Sequence, residues 1–243
     1  MMMVEGVFIG VGTGPGGEGL IPVAAWAAVQ SADWVYLPRA RGAVSSVAPL
    51  GLPGEIEAER IVEVEFDMTV DHGGLLERYR TLAEEIVARI RTGADVAYLT
   101  LGDTSTYSTF NYALQAVRRL MPEVRTRVFP GVTSFAALAA ATGFSLGEKK
   151  ERVLILPCPE TPEELRRHVT AHHVVVVMKM GARLSWVLDV IRAEGLLEHA
   201  YLGSRVGMEG EVVLRGDEVS AHGGARLGYF STLLVRNVHL GAE

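Results

Sequence analysis

One cysteine, Cys158, occurs in 243 residues. No intrachain disulfide can form, and a reducing cytoplasm is the expected setting. A lone cysteine beside a strand reads as a passive residue rather than a nucleophile. Long apolar runs are missing: the densest, Val174 to Met178, falls far short of the ~20 residues that cross a bilayer. Residues 1–5, MMMVE, carry no basic n-region and no apolar h-region, so no secretion signal is expected. Positive charge is not in excess. The formal net charge is −6, and the densest basic stretch is only Lys149-Lys150-Glu151-Arg152. That balance argues against nucleic-acid binding through a basic face and leaves room for a local basic pocket. A Ser-His-Asp set and a metal-ligand cluster are missing too. His172 and His173 precede a strand, where neighbours point to opposite faces. His72, His168, His199, His222 and His239 are scattered, and no metal is expected.

What is present is globular: 49% hydrophobic and 21% charged residues. Apolar runs of strand length alternate with helix-like segments. Strands are expected at Gly6 to Val11, Trp34 to Leu37, Val96 to Leu101 and Val124 to Phe129. Helices are expected at Ala24 to Gln30, Tyr112 to Leu120 and Ser134 to Thr142. The clearest helix is Leu75 to Arg91, where Leu75, Leu76, Tyr79, Leu82, Ile86, Val87 and Ile90 follow helical spacing and Gly93 supplies a stop. Ala43 to Glu59 reads as a surface loop. This alternation predicts an α/β domain with a largely parallel sheet over residues 1–148. After the polar GEKKE break a second, α+β domain is expected over residues 149–243. It holds strands at Val153 to Leu156, Val174 to Met180, Ala200 to Arg205, Glu211 to Leu214 and Tyr229 to Arg236, the last two joined by a Gly-rich loop. Its helices are Leu184 to Ala193 and one opened by a capping box, with Thr161 as N-cap, Pro162 at N1 and Glu164 at N3.

The first strand runs into GVGTGPGGEGL. Gly12, Gly14 and Gly17 match G-x-G-x-x-G, which raises a nicotinamide oxidoreductase as an alternative. Two features count against it. Asp33 lies before its strand, whereas a ribose-binding acid lies at the carboxyl end of the second strand. Pro15 has no N–H to offer a pyrophosphate.

Two further stretches decide the reading. LTLGDTSTYST, Leu99 to Thr109, and FPGVTSF, Phe129 to Phe135, each carry a strand into small and polar residues, where open α/β sheets bind ligands. VVVMKMG, Val175 to Gly181, does the same in the second half. Together Gly12-Thr13-Gly14-Pro15-Gly16, Gly102-Asp103-Thr104-Ser105-Thr106-Tyr107, Pro130-Gly131-Val132-Thr133-Ser134 and Met180-Gly181 resemble the tetrapyrrole methylases, in order and over nearly the whole chain. Within that family LTLGD, the following YST, PGVTSF and Lys179 of MKMG are most similar to the branch that methylates precorrin-2, or its cobalt form, at C-20 on the way to cobalamin. Thr104 stands where the family has proline, Gly17 where it has an acid, and Pro22 where it has threonine.

The resemblance implies two α/β domains (a class III methyltransferase fold), S-adenosyl-L-methionine as methyl donor in a cleft between them, a tetrapyrrole substrate and a homodimer. It implies donor-site residues Pro15, Leu101, Gly102, Asp103, Thr106, Tyr107, Thr133, Ser134 and Met180. Gly102 and Asp103 would hold the methionine part through their backbone, and Thr133 and Ser134 its carboxylate or amine. The strand end at Met180 would pack on adenine, and Gly14 and Gly16 would shape the tetrapyrrole side. A sulfonium donor is already activated, so the protein mainly aligns the reactants and excludes water. Precorrin-2 carries many carboxylates, which an acidic protein must meet with local positive charge; Arg39, Arg41, Lys179 and Arg205, all near strand ends, are the candidates. Asp103, Tyr107 and Glu209 are conceivable acceptors for the proton lost from the methylated carbon, and the residues do not choose among them. Other precorrin positions, uroporphyrinogen as substrate, and a non-catalytic adenosyl-nucleotide sensor stay open.

Overall fold

The computed structural model describes residues 5–40, 46–66, 72–216, 218–221, 227 and 230–241. The chain divides into two compact units, residues 1–133 and 134–243.

In the first unit five parallel strands form one sheet: β1 (Phe8–Gly12), β2 (Trp34–Ala40), β3 (Ile61–Phe66), β4 (Val96–Thr100) and β5 (Thr126–Phe129), in the order β3-β2-β4-β1-β5. Both faces are covered, which explains near-continuous apolar strands in place of alternation. On one face Ile9, Val11, Val35, Leu37, Ala97 and Leu99 meet Ala25, Ala28 and Val29 of α1 (Val23–Ser31). On the other, Phe8 and Tyr98 pack with Phe110 and Val117 of α3 (Thr109–Leu120) and with Ile86 and Ile90 of α2 (His72–Arg91). Gly10 makes room for α3: a Cβ there would lie 2.3 Å from the Phe110 ring. The expected apolar stripe of α2 is corrected at one position. Leu76 is exposed, and Ala83 takes a place in the core.

β3 has no counterpart among the expected elements, although Val62, Val64 and Phe66 alternate with Glu63 and Glu65. β2 runs past its expected end, through Pro38. That residue pairs with β3 at Val64, while β4 pairs only as far as Tyr36, so the missing Pro38 N–H breaks no ladder with β4.

The second unit also carries a five-stranded sheet, of mixed direction: β6 (Val153–Pro157), β7 (Val174–Met178), β8 (Ala200–Ser204), β9 (Val212–Arg215) and β10 (Ser231–Arg236), in the order β6-β7-β10-β8-β9. Only β6 and β7 are parallel. β9 and β10 do not pair with each other; each pairs with β8. Between them lies the short α7 (Glu218–Ala221), and the expected start of the last strand at Tyr229 lies outside the described residues. α4 (Ser134–Thr142) packs Leu138 and Ala139 against Val176 and Leu234 on one face. α5 (Pro162–Ala171) and α6 (Leu184–Ala193) cover the other. Thr161 caps α5 by accepting from the Glu164 N–H at 3.2 Å, while the Glu164 carboxylate accepts from Glu160, one residue before the cap.

The break expected near Lys149 falls instead at Thr133–Ser134. The GEKKE stretch is no linker. Arg236 of β10 pairs with Glu151 at 2.5 Å and donates to the Ser145 carbonyl at 2.6 Å, which fastens that segment to the second sheet. With α4 packed on β10, residues 134–151 belong to the second unit.

Candidate active site

Three parallel strands of the first unit, β4, β1 and β5, lie side by side, so their carboxyl ends open on one edge. Their exits are bound together by backbone. Gly14 and Gly102 exchange two hydrogen bonds, at 3.1 and 2.6 Å. Thr13, fully buried, donates its N–H and its hydroxyl to the Thr100 carbonyl. Glycine is required by contact at two of these positions. A Cβ on Gly12 would lie 2.6 Å from the Gly131 nitrogen, and one on Gly131 would lie 2.0 Å from the Gly102 carbonyl oxygen. Gly102 differs: its φ is +76° and a Cβ there would meet nothing within 4 Å. Gly102 therefore closes the backbone bridge on one side and faces open space on the other. Its N–H and C=O are both engaged by Gly14, so what it offers a ligand is close approach rather than its polar groups.

Asp103 lies beneath this edge, 8% exposed. Its Oδ1 accepts from the Ser105 N–H (2.8 Å), the Ser105 hydroxyl (2.5 Å) and the Thr106 hydroxyl (3.2 Å); its Oδ2 accepts from the Gly131 N–H (3.0 Å). Burial pushes the carboxyl upward, but the Ser105 hydroxyl, the Gly131 and Ser105 N–H groups and the Thr106 hydroxyl hold it below its ordinary value. A carboxylate so occupied is poorly suited to accept a proton. Its geometric effect is to tie the loop after β4 to the turn after β5. Thr104, buried, adds a second tie by donating to the Phe129 carbonyl at 3.3 Å. Ser108 caps α3 through the Phe110 N–H and reaches the Thr100 hydroxyl at 3.1 Å. Thr13 and Ser108 are not among the expected site residues; for Thr13, its place between two glycines is the signal that could have marked it.

Of the other expected residues in this unit, Pro15 and Gly16 are buried in the first turn, Leu101, Thr106 and Thr133 are half-buried, and Tyr107 is exposed with φ +52°. Gly14 has φ +79° and Gly16 φ +117°. Asp33 lies at the amino end of β2 and accepts from the Asp95 N–H at 2.7 Å, a turn contact away from any ribose position. Arg39 is flanked by two carboxylates of β3, Glu63 at 3.2 Å and Glu65 at 3.0 Å, so its charge is already answered. Arg41 lies outside the described residues.

In the second unit the Ser134 and Thr232 hydroxyls share a hydrogen bond of 3.0 Å. The Met180 side chain is buried in the core formed with α5 and α6. Lys179 and Arg205 are exposed, with φ +56° and +54°. The Arg205 Nε donates to the carbonyl of Glu209 at 2.9 Å. Cys158 is buried, and burial raises its thiol, the wrong direction for a nucleophile. Among the described residues no group of three His, Cys, Asp or Glu is placed to hold a metal, and no helix is long and apolar enough to cross a membrane.

A parallel sheet whose strand exits are tied together by glycines, with polar residues on one edge, is a ligand-binding α/β architecture. The profile of the tetrapyrrole (corrin/porphyrin) methylases matches residues 7–220. The cobalt-precorrin-2 C(20)-methyltransferase of Salmonella typhimurium is 31% identical over 236 residues, 96% of this chain and 97% of that protein. Among solved structures, a cobalt precorrin-4 methyltransferase superimposes with a TM-score of 0.69 at 21% identity over 94% of each chain. The uroporphyrin-III C-methyltransferase of Thermus thermophilus, crystallised with S-adenosylhomocysteine, gives 0.63 at 22% identity over 96% of this chain and 99% of that one. The chain belongs to the tetrapyrrole methylase family.

Proposed function

We propose that this protein transfers a methyl group from S-adenosyl-L-methionine to C-20 of precorrin-2, or of its cobalt form, giving precorrin-3A or its cobalt counterpart in cobalamin biosynthesis. The observation that carries the reading is the near end-to-end similarity to the Salmonella enzyme of that name, joined to strand exits that leave one face of Gly102 open. That bare face fits a ligand whose backbone-like methionine portion must approach closely.

When bound, the donor supplies an electrophilic methyl on a sulfonium. The rest is positioning. Leu101, Gly102, Thr106 and Thr133 would surround the methionine part, with Asp103 holding their loops in place through its four acceptor contacts. Pro15, Gly14 and Gly16 would form the wall toward the tetrapyrrole. Tyr107 would stand at the rim. The saturated Asp103 carboxylate is left out as proton acceptor. The reading includes a homodimer working in the cytoplasm.

The test is incubation with methyl-labelled donor and freshly made precorrin-2 or cobalt-precorrin-2, followed by mass spectrometry and carbon-13 NMR. One added methyl at C-20 is expected. A methyl at another carbon would move the protein to another branch of the family. Tight NAD binding without binding of S-adenosylhomocysteine would overturn the reading. Binding of S-adenosylhomocysteine with no turnover of any tetrapyrrole would favour a sensor.

A further inference from the structure

In the second unit β7 and β8 flank β10, both antiparallel to it. Met178 of β7 pairs with Thr232, and Ser204 of β8 pairs with Ser231, so both strands end where β10 begins. The next residues are Lys179 and Arg205. They emerge on one edge of the sheet, separated by two strand spacings, on the order of 10 Å.

Both stand in the left-handed backbone region, φ +56° and +54°. Glycine, or asparagine, suits that conformation, and long side chains carry strain there. Lys149 and Tyr107 share the conformation, Lys149 in an exposed turn. At the two strand exits, however, the strained residue is in each case a cation. Stability alone would select glycine at both, and strain retained at symmetrically placed exits points to the side chains. The left-handed turn is also built into the local structure: the Arg205 N–H donates to the Phe230 carbonyl at 3.1 Å and its C=O accepts from Met208 at 2.8 Å.

The Arg205 charge is held differently from that of Arg39. Arg205 spends its Nε on the Glu209 carbonyl. A guanidinium has five N–H donors, so this hold is compatible with a bidentate grip on a carboxylate through the Nη groups. Lys179 is exposed at the β7 exit, and burial of part of its side chain draws its ammonium below the ordinary value.

We propose that Lys179 and Arg205 form a two-point carboxylate clamp on this edge of the second sheet, spaced for a rigid polycarboxylate whose acidic arms stand well apart, as on a tetrapyrrole. The clamp rests on the tetrapyrrole reading above.

The test uses the full chain and two fluorescent probes, uroporphyrin III with eight carboxylates and coproporphyrin III with four, titrated at low and high salt. Lys179→Gln and Arg205→Gln should each weaken uroporphyrin binding about tenfold and the double variant about a hundredfold, with a shallower salt dependence. Lys179→Gly and Arg205→Gly should lose the same affinity while melting at or above the wild type, which a merely structural role would not do. Coproporphyrin should bind more weakly and respond less. Equal uroporphyrin affinities across the series, or no uroporphyrin binding by the wild type, would overturn the clamp. Precorrin-2 turnover is measured in parallel. A wild type that methylates precorrin-2, with KM unchanged in the variants, sinks the clamp alone. Cation-dependent uroporphyrin binding with no methylation of precorrin-2 sinks the methyltransferase reading alone.

Discussion

Gly131→Ala and Gly102→Ala should separate the two uses of glycine at the strand exits. Gly131 is not in the left-handed region, so alanine suits its backbone. The obstacle is contact: the new Cβ would lie 2.0 Å from the Gly102 carbonyl oxygen and 2.8 Å from the Gly12 carbonyl carbon. Ordinary C···O contacts begin near ~3.3 Å, so the loop after β4 would have to retreat by more than about 1 Å. That retreat would break the two Gly14–Gly102 hydrogen bonds and the Gly131 N–H bond to Asp103. Net losses of about 1 kcal/mol per bond and about 1–3 kcal/mol for overpacking give roughly 4–6 kcal/mol. At about 2–4 °C per kcal/mol, Tm should fall by roughly 10 °C or more. Gly102→Ala meets no atom and costs only the left-handed conformation, about 1–2 kcal/mol. Its main effect should be on binding, because the methyl would fill the open face. Calorimetric titration with S-adenosylhomocysteine should show a loss of affinity larger than the loss of stability. A Gly131→Ala protein that melts within about 2 °C of the wild type would refute the packing argument. Undiminished S-adenosylhomocysteine binding by Gly102→Ala would refute the open-face argument.

Two further outcomes are expected. Asp103→Asn should cost about 1–3 kcal/mol at pH 7 by weakening charge-assisted bonds in a buried loop. Since the folded carboxyl is depressed, its contribution is complete above the ordinary value near ~4 and is lost as pH falls through the lower folded value. Urea midpoints of wild type and variant should therefore converge on acidification from pH 7, and a constant gap down to pH 2 would contradict this. Arg60→Met should cost about 1–2 kcal/mol. The Arg60 Nη2 donates to the carbonyls of Val29 (2.7 Å), Gln30 (3.1 Å) and Ala32 (2.5 Å), closing the end of α1, whose last turn has no basic residue of its own. Unchanged thermal stability would show that water serves those carbonyls equally well.

Local features of this protein were legible in one dimension. The bounds of α4 and α6 and the N-cap at Thr161 depend on caps, stops and periodicity within a few residues, and each lies where the pattern puts it. The order of the three Gly-rich exits pointed to a ligand edge of a parallel sheet and to the methylase family. Quantities set across distance were not legible. β3 alternates visibly, yet its partner β2 lies across a long connection. Leu76 has helical spacing as good as that of Leu75, and only the position of α3 decides which face is buried. GEKKE looks like a linker until Arg236, 85 residues beyond Glu151, holds it to β10.

The sequence by itself therefore determined the α/β alternation, the caps and the family, because these reside in neighbouring residues and short motifs. The tertiary structure decided which groups remain available for chemistry. It spent the Asp103 carboxylate on the Ser105, Thr106 and Gly131 donors and the Arg39 charge on Glu63 and Glu65. It brought Lys179 and Arg205, distant in sequence, to one edge. A side chain's availability is what its partners leave over, and those partners are chosen by folding.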